Sequence, residues 1–181
     1  MPDFPPGAFH YVAVRDPRAE LLLSQLDADY RAKYGEIDEM TRFPDSEFSP
    51  PSGAFLLLIE GDQAVAGGAF RRYDSRTAEL KRIWTHIGHR RRGLARAVVA
   101  ELEREAGRRG YRRIYLTTGP RQPEARALYL RTGYRPLFDL RADPLTIGPL
   151  PFEKALPAAQ TPPTSADDRN VAGATTTRSP G

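Results

Sequence analysis

A single mixed α/β domain is what this sequence predicts, with a central sheet of six to seven mostly antiparallel strands and flanking helices. Two compact runs, Ala54 to Glu60 and Gln63 to Tyr73, are separated by the tight turn Gly61-Asp62 and read as an antiparallel hairpin. Next, a strand-like run from Thr77 to Thr85 is followed by an amphipathic helix and a second strand, Tyr111 to Thr117. That order predicts a parallel, right-handed crossover. Finally, 181 residues with 40% apolar content suffice for one core.

The elements follow in order along the chain. His10 to Val14 is the first strand candidate. A helix starts at Asp16-Pro17, carries Leu21, Leu22, Leu26 and Tyr30 at helical spacing, and stops at Gly35. Glu36 to Pro51 has no sustained period and reads as a loop or a short broken helix. In the strand Thr77 to Thr85, Glu79, Lys81, Ile83 and Thr85 alternate with Leu80, Arg82 and Trp84, so ionisable groups fall on both sides; such a strand borders a cleft rather than crossing a core. Leu94, Val98, Leu102 and Ala106 form one face of the next helix, which Gly110 ends. Gly119-Pro120 leads to a short helix from Pro123 to Arg131, stopped at Gly133, and Tyr134 to Leu140 and Pro151 to Leu156 are the last strand candidates. Residues 1–157 make the domain. The segment 158–181 is rich in Ala, Thr, Pro, Ser and Gly and is predicted to be a disordered tail, because it buries too little apolar surface to offset its ordering entropy.

Composition narrows the chemistry. The formal charge is +4, with acids and bases intermixed, which suits an anionic small ligand as well as a polyanion. No cysteine is present, so disulfides, thiolate ligands and a cysteine nucleophile are excluded. Met1-Pro-Asp-Phe-Pro-Pro has no basic region followed by an apolar run, and no stretch approaches a membrane span, so a cytoplasmic protein without membrane contact is expected.

The segment with most chemical content is Arg90-Arg91-Arg92-Gly93-Leu94-Ala95, between the strand ending at Thr85 and the helix running to Arg108. A glycine-bearing turn that opens a helix presents unpaired N–H groups and the positive end of the helix dipole, a corner that favours phosphate. The arginines add guanidinium forks. A solvated basic turn fits the same letters, and the neighbouring segments decide between the two.

Those neighbours are Ala78-Glu79-Leu80-Lys81-Arg82-Ile83-Trp84-Thr85, then Arg90-x-x-Gly93-x-Ala95, then Gln122-Pro123-Glu124-Ala125-Arg126-Ala127-Leu128-Tyr129 followed by Gly133-Tyr134. In this order and spacing, the chain from about residue 10 to 156 resembles the GNAT acetyltransferase superfamily. The resemblance implies acetyl-coenzyme A as cosubstrate, held where the strands Thr77 to Thr85 and Tyr111 to Thr117 splay apart. It further implies pyrophosphate at Arg90, Arg91, Arg92, Gly93, Leu94, Ala95 and Arg96, and the pantetheine arm along the backbone of Ile83, Trp84 and Thr85. Gln122 stands where many members have an asparagine that positions the cofactor arm. Tyr129 matches the tyrosine that protonates the departing thiolate, and Glu79 the strand carboxylate that some members use as a base. Tyr129 also suits plain packing against the sheet, and Glu79 an ion pair with Lys81 or Arg82. The implied reaction is acetyl transfer to a primary amine of a small molecule or peptide, by a monomer or homodimer, without a metal. An idle acyl-coenzyme A binding module on the same fold is the alternative.

Glu36, Asp38, Glu39, Asp45 and Glu47 cluster in the loop that, by resemblance, lies near the acceptor; an acidic rim would attract a cationic amine, and a solvated loop is the plainer reading. His86 and His89 lack a nearby carboxylate or thiol and make a poor metal site. Gly67-Gly68 has no G-x-G-x-x-G frame. Arg90, Arg91, Arg92, Arg108, Arg109, Arg112 and Arg113 do not share a helical face with stacking aromatics, so no nucleic-acid partner is expected.

Overall fold

A computed structural model describes residues 7–157; the predicted tail at 158–181 lies outside the described residues. The strands are β1 (Ala8–Tyr11), β2 (Ala54–Glu60), β3 (Gln63–Arg72), β4 (Thr77–Thr85), β5 (Arg113–Thr118), β6 (Arg135–Pro136) and β7 (Leu150–Ala155). The helices are α1 (Glu20–Tyr34), α2 (Leu94–Arg108), α3 (Pro123–Arg131) and the single turn α4 (Pro144–Ile147). One seven-stranded sheet runs in the order β1-β2-β3-β4-β5-β7-β6. Among the described residues only β4 and β5 pair in parallel, as the strand, helix and strand order between Thr77 and Thr117 requires.

The side chains of β2 alternate between two cores. Leu56 and Leu58 join Val98 and Leu102 of α2 on one face, whereas Phe55 and Leu57 join Leu22 of α1 and Phe48 on the other. The apolar face predicted for α2 is the one that is buried: Leu94, Val98, Leu102 and Ala106 are each at most 1% exposed. In α1, Leu22 and Leu26 face the sheet, but Leu21 is 46% exposed. Successive helical residues point about 100° apart, so two adjacent leucines cannot both be central to one face.

Gly67 and Gly68 have a packing role. A Cβ on Gly67 would lie 2.9 Å from the Leu56 carbonyl oxygen and 3.3 Å from a Leu22 methyl; one on Gly68 would lie 2.5 Å from an Ile83 methyl and 3.1 Å from Val98 and Leu102. The pair lets a helix settle closely on each face of β3. Gly68→Ala is therefore expected to destabilise the fold by about 1–3 kcal/mol through overpacking, read as a lower denaturant midpoint at unchanged slope.

The remaining differences from the sequence reading have local causes. β1 ends at Tyr11, short of Val14, because the Asp16 N–H bonds the Ala13 carbonyl at 3.0 Å and turns the chain. Asp16 does cap the helical entry, accepting from the Arg18 N–H at 2.9 Å, but the first turn, Pro17–Ala19, is a 3-10 turn. The stretch 36–51 contains only the 3-10 turn Asp45–Phe48, anchored by Phe48 at 1% exposure. The strand expected from Tyr134 to Leu140 shrinks to Arg135–Pro136. Pro136 has no N–H for a ladder, and Asp139 starts a turn by accepting from the Arg141 N–H at 2.9 Å. α4 was not foreseen, although Asp143-Pro144 repeats the Asp16-Pro17 pattern: Asp143 accepts from the Leu145 N–H at 3.0 Å.

Candidate active site

The parallel β4–β5 pair runs from Thr77 opposite Arg113 to Glu79 opposite Tyr115 and goes no further. Beyond it β4 stays paired with β3 as far as Thr85, and β5 with β7 as far as Thr118. The facing edges of β4 and β5 are thus left without a strand partner over Leu80 to Thr85 and Leu116 to Thr118. A bulge accompanies the parting. Ala69 pairs with Lys81 and Gly67 with Trp84, so two residues of β4 oppose Gly68, and Arg82 takes φ 56°. This left-handed conformation costs a non-glycine residue on the order of 1–3 kcal/mol.

The bulge also corrects the expected alternation. Leu80 and Ile83 face the α2 side, while Trp84 packs with the α1 side. Arg82 swings to the α1 side as well, its guanidinium 4.3 Å from the Phe48 ring centroid and its Nη2 donating to the Met40 carbonyl at 2.9 Å.

Between the parted strands lies a narrow cavity of about 50 Å³, lined among others by Tyr30, Lys81, Arg82, Thr118, Gln122 and Tyr129. The structure thus brings Gln122, Tyr129 and Ile83 to the walls of one cavity. Tyr129 is 5% exposed and its ring packs on Tyr134 and Phe152, with centroids 5.3 and 5.8 Å away. Packing and position in the cleft coexist in this residue. Burial pushes its phenol above the ordinary value of 10, which keeps it protonated through the neutral range. Tyr30, half-buried on the opposing wall, is raised in the same way by burial first and by Glu39 second. The sequence offered Tyr30 only as part of an apolar helical stripe; nothing local marks it as facing a cleft.

Gln122 closes the β5–α3 turn. Its Oε1 accepts from Thr118 Oγ1 at 3.1 Å and from the Gly119 N–H at 2.9 Å. The same turn is tied to α1, because the Tyr34 hydroxyl oxygen accepts from the Arg121 N–H at 3.1 Å and Arg121 Nη1 donates to the Lys33 carbonyl at 2.8 Å.

The basic corner has the backbone of an anion cradle. Arg91 at φ 64° and Gly93 at φ 76° bracket Arg92, an arrangement of left-handed residues that turns consecutive N–H groups toward one side. The first intrahelical bond of α2 is from Ala97 to the Gly93 carbonyl, at 3.1 Å. The N–H groups of Leu94, Ala95 and Arg96 therefore have no acceptor within the helix, and no side chain caps it. Leu94 is 1% exposed and seats the turn in the core. The arginine side chains divide. Arg90 stacks 4.7 Å from the Trp84 ring centroid, Arg92 forks onto Glu60 at 2.8 and 3.0 Å, and Arg91 and Arg96 are exposed. His89 Nδ1 lies 2.7 Å from Arg92, and His86 accepts from the Gly88 N–H at 3.1 Å.

Glu79 is buried and does not line the narrow cavity. Its carboxylate lies 2.8 Å from Arg71 Nη2 and 3.4 Å from Lys81 Nζ. Lys81 is the partner expected; the second cation is Arg71 and not Arg82, whose guanidinium is turned to the Phe48 ring and the Met40 carbonyl. The Arg71 contact is not a directed hydrogen bond, and Glu79 Oε2 and Arg71 Nε have no hydrogen-bond partner among the described residues. The acids expected to form a rim are mostly matched: Glu39 with Lys81 at 2.8 Å, Asp45 with Arg15 at 2.9 Å, and Glu47 with Arg71 at 2.8 Å. A second cavity of about 530 Å³ opens on the α1 side, lined among others by Val14, Arg15, Leu23, Met40, Asp45 and Arg82. Among the described residues, no group of three or more His, Cys, Asp or Glu side chains is placed to hold a metal, and no helix is long and apolar enough to cross a membrane.

Comparison with known proteins bears on the family and the fold. The model of the acetyltransferase (GNAT) family matches residues 20–134. YsnE of Bacillus subtilis, an uncharacterized N-acetyltransferase, is 34% identical over 102 residues, which are 54% of this chain and 68% of YsnE. YedL of Escherichia coli, another uncharacterized N-acetyltransferase, is 31% identical over 99 residues, 52% of this chain and 62% of YedL. In fold, the chain matches an acetyltransferase from Streptococcus agalactiae with a TM-score of 0.67 at 19% identity, over 84% of this chain and 100% of the other. It also matches a GNAT family acetyltransferase from Elizabethkingia anophelis, solved with acetyl-CoA bound, with a TM-score of 0.58 at 15% identity, over 84% of this chain and 100% of the other.

Proposed function

The chain belongs to the GNAT acetyltransferase family, and from that membership we propose that its β4–β5 cleft is an acetyl-transfer site serving a primary amine, with Tyr129 as the proton donor. The observation that carries this reading is the end of the parallel pairing at Glu79 and Tyr115, which leaves the edge of β4 without a strand partner between the arginine corner and Tyr129.

The residues suit acetyl-coenzyme A. Two phosphates need several convergent donors, and the left-handed residues Arg91 and Gly93 followed by the open N–H groups of Leu94, Ala95 and Arg96 supply them. The edge of β4 at Ile83, Trp84 and Thr85 offers peptide groups to an extended amide-bearing chain, as a sheet edge does to an added strand. Gln122, with its oxygen committed to the β5–α3 turn, keeps its amide N–H groups for the same chain. When bound, acetyl-coenzyme A supplies an activated thioester.

The protein supplies the proton traffic. The Tyr129 hydroxyl, protonated at neutral pH because burial raises it, donates to the sulfur as it leaves. Glu79 acts at one remove: Oε2, which has no hydrogen-bond partner among the described residues, accepts from a water that takes the proton of the amine. Arg71 and Lys81 hold that carboxylate in place.

Calorimetry with acetyl-coenzyme A tests the corner. Arg92→Glu sets two acids, Glu60 and the new glutamate, against the phosphates, and is expected to raise Kd by about tenfold or more. Glu60→Gln releases Arg92 and is expected to leave Kd equal or lower. Unchanged binding in Arg92→Glu would remove the corner from the cofactor site.

A further inference from the structure

We propose that Arg82 receives a carboxylate of the acceptor, so that the substrate is an amino acid with a free carboxyl group and an apolar side chain rather than a purely cationic amine. The proposal rests on the reading of the β4–β5 cleft as the acetyl-transfer site.

Arg82 is only 7% exposed, yet no carboxylate of the described residues lies within 4.0 Å of it. One directed hydrogen bond, to the Met40 carbonyl, and the Phe48 ring are what it is given. A guanidinium has five N–H donors, and a buried charge without a counter-charge is unfavourable. Its neighbours are treated differently: Arg71 is shared by Glu47 and Glu79, and Lys81 by Glu39 and Glu79. Burial accordingly pulls the Arg82 guanidinium below its usual value, with Asp45 and Glu39 offsetting this only in part.

The strained bulge puts the unpaired cation where a ligand can use it. By turning Arg82 to the α1 side, the bulge makes one side chain a wall of both the 530 Å³ cavity and the narrow cleft that holds Tyr129. A carboxylate meeting its fork gains two parallel charge-assisted hydrogen bonds, a geometry that lysine cannot offer. Val14, Leu23 and Met40 give the larger cavity an apolar wall suited to an aliphatic or aromatic side chain, and its volume is ordinary for a small-molecule site. Of the acids lining that cavity, Asp45 already faces Arg15 and Asp16 faces Arg18, which leaves Glu20 alone to attract a polycation. In the reaction the amine forms the new C–N bond as the C–S bond breaks. The ammonium gives up two protons, one ending on the thiol and one in solvent, and the carboxylate stays unchanged on Arg82.

The test compares L-leucine, L-methionine and L-phenylalanine with their amides and with spermidine, measuring kcat/KM by thiol release and Kd by calorimetry. The wild-type protein is expected to favour the best free acid over its amide by about tenfold or more, the scale of a charge-assisted pair. In Arg82→Gln that ratio is expected to fall to about one, and in Arg82→Lys to keep an intermediate value. If Arg82→Gln does not fold, the wild-type ratio decides alone. Amides or spermidine used as well as the acids, or no difference in binding between acids and amides, would overturn the proposal. Failure of the cleft reading is separate: it would appear as unimpaired turnover in both Tyr129→Phe and Tyr30→Phe while the preference for free acids persisted.

Discussion

Tyr129→Phe is expected to lower kcat by roughly 10²-fold or more, with the Kd for acetyl-coenzyme A within about twofold of wild type. The substitution removes one oxygen and leaves the ring against Tyr134 and Phe152. The hydroxyl has no hydrogen-bond partner among the described residues, so its loss should leave stability almost untouched. That separation makes the experiment decisive: a fall in turnover without a fall in melting temperature or cofactor binding isolates the proton donor. The pH profile provides a second reading. The active form is the protonated phenol, and the fold raises this phenol above its ordinary value of 10. Activity that depends on it is therefore retained below the raised value and lost only above it, so no alkaline decline should set in before roughly pH 10. Tyr30 lines the same cavity from α1. If Tyr129→Phe keeps full turnover and Tyr30→Phe does not, the donor is the phenol on the other wall.

Gly93→Val is expected to weaken acetyl-coenzyme A binding by about 10- to 100-fold. Gly93 takes φ 76°, and a Cβ there would meet nothing within 4 Å. The penalty is therefore conformational: a β-branched residue is driven out of the left-handed region, and the N–H groups on either side cease to converge. Asparagine visits that region at smaller cost, so Gly93→Asn should bind more tightly than Gly93→Val. Equal affinities for the valine variant and wild type would show that the phosphates are held without this cradle.

Much of the architecture was legible because its signals are local and periodic. The hairpin, the α2 face from Leu94 to Ala106 and the limits of α3 each follow from spacing and from Gly or Pro punctuation. What was not legible depends on events that periodicity does not encode. A bulge at Arg82 breaks the two-residue alternation of β4, so Arg82 and Trp84 end up on the face opposite Leu80 and Ile83; no glycine or proline announced it. Likewise the loop acids were visible as a cluster, but their partners Arg15, Arg71 and Lys81 come from the turn after β1, from β3 and from β4, and only the fold brings them together. The position of Tyr30 across from Tyr129 is of the same kind, set by the register of α1 on the sheet. The start of α4, by contrast, could have been read from Asp143-Pro144.

The tie between Tyr34 and the Arg121 N–H, with Arg121 returning a bond to Lys33, bears on how the site works. It fastens the C-terminal turn of α1 to the turn that launches α3. The two helices carrying Tyr30 and Tyr129 are thus braced like the jaws of a fixed gauge. Gly119 is part of the brace, since a Cβ there would fall 2.0 Å from the Tyr34 oxygen. A gap set in advance spends none of the ligand's binding free energy on drawing its walls together, so discrimination at the gap is by size and not by closure.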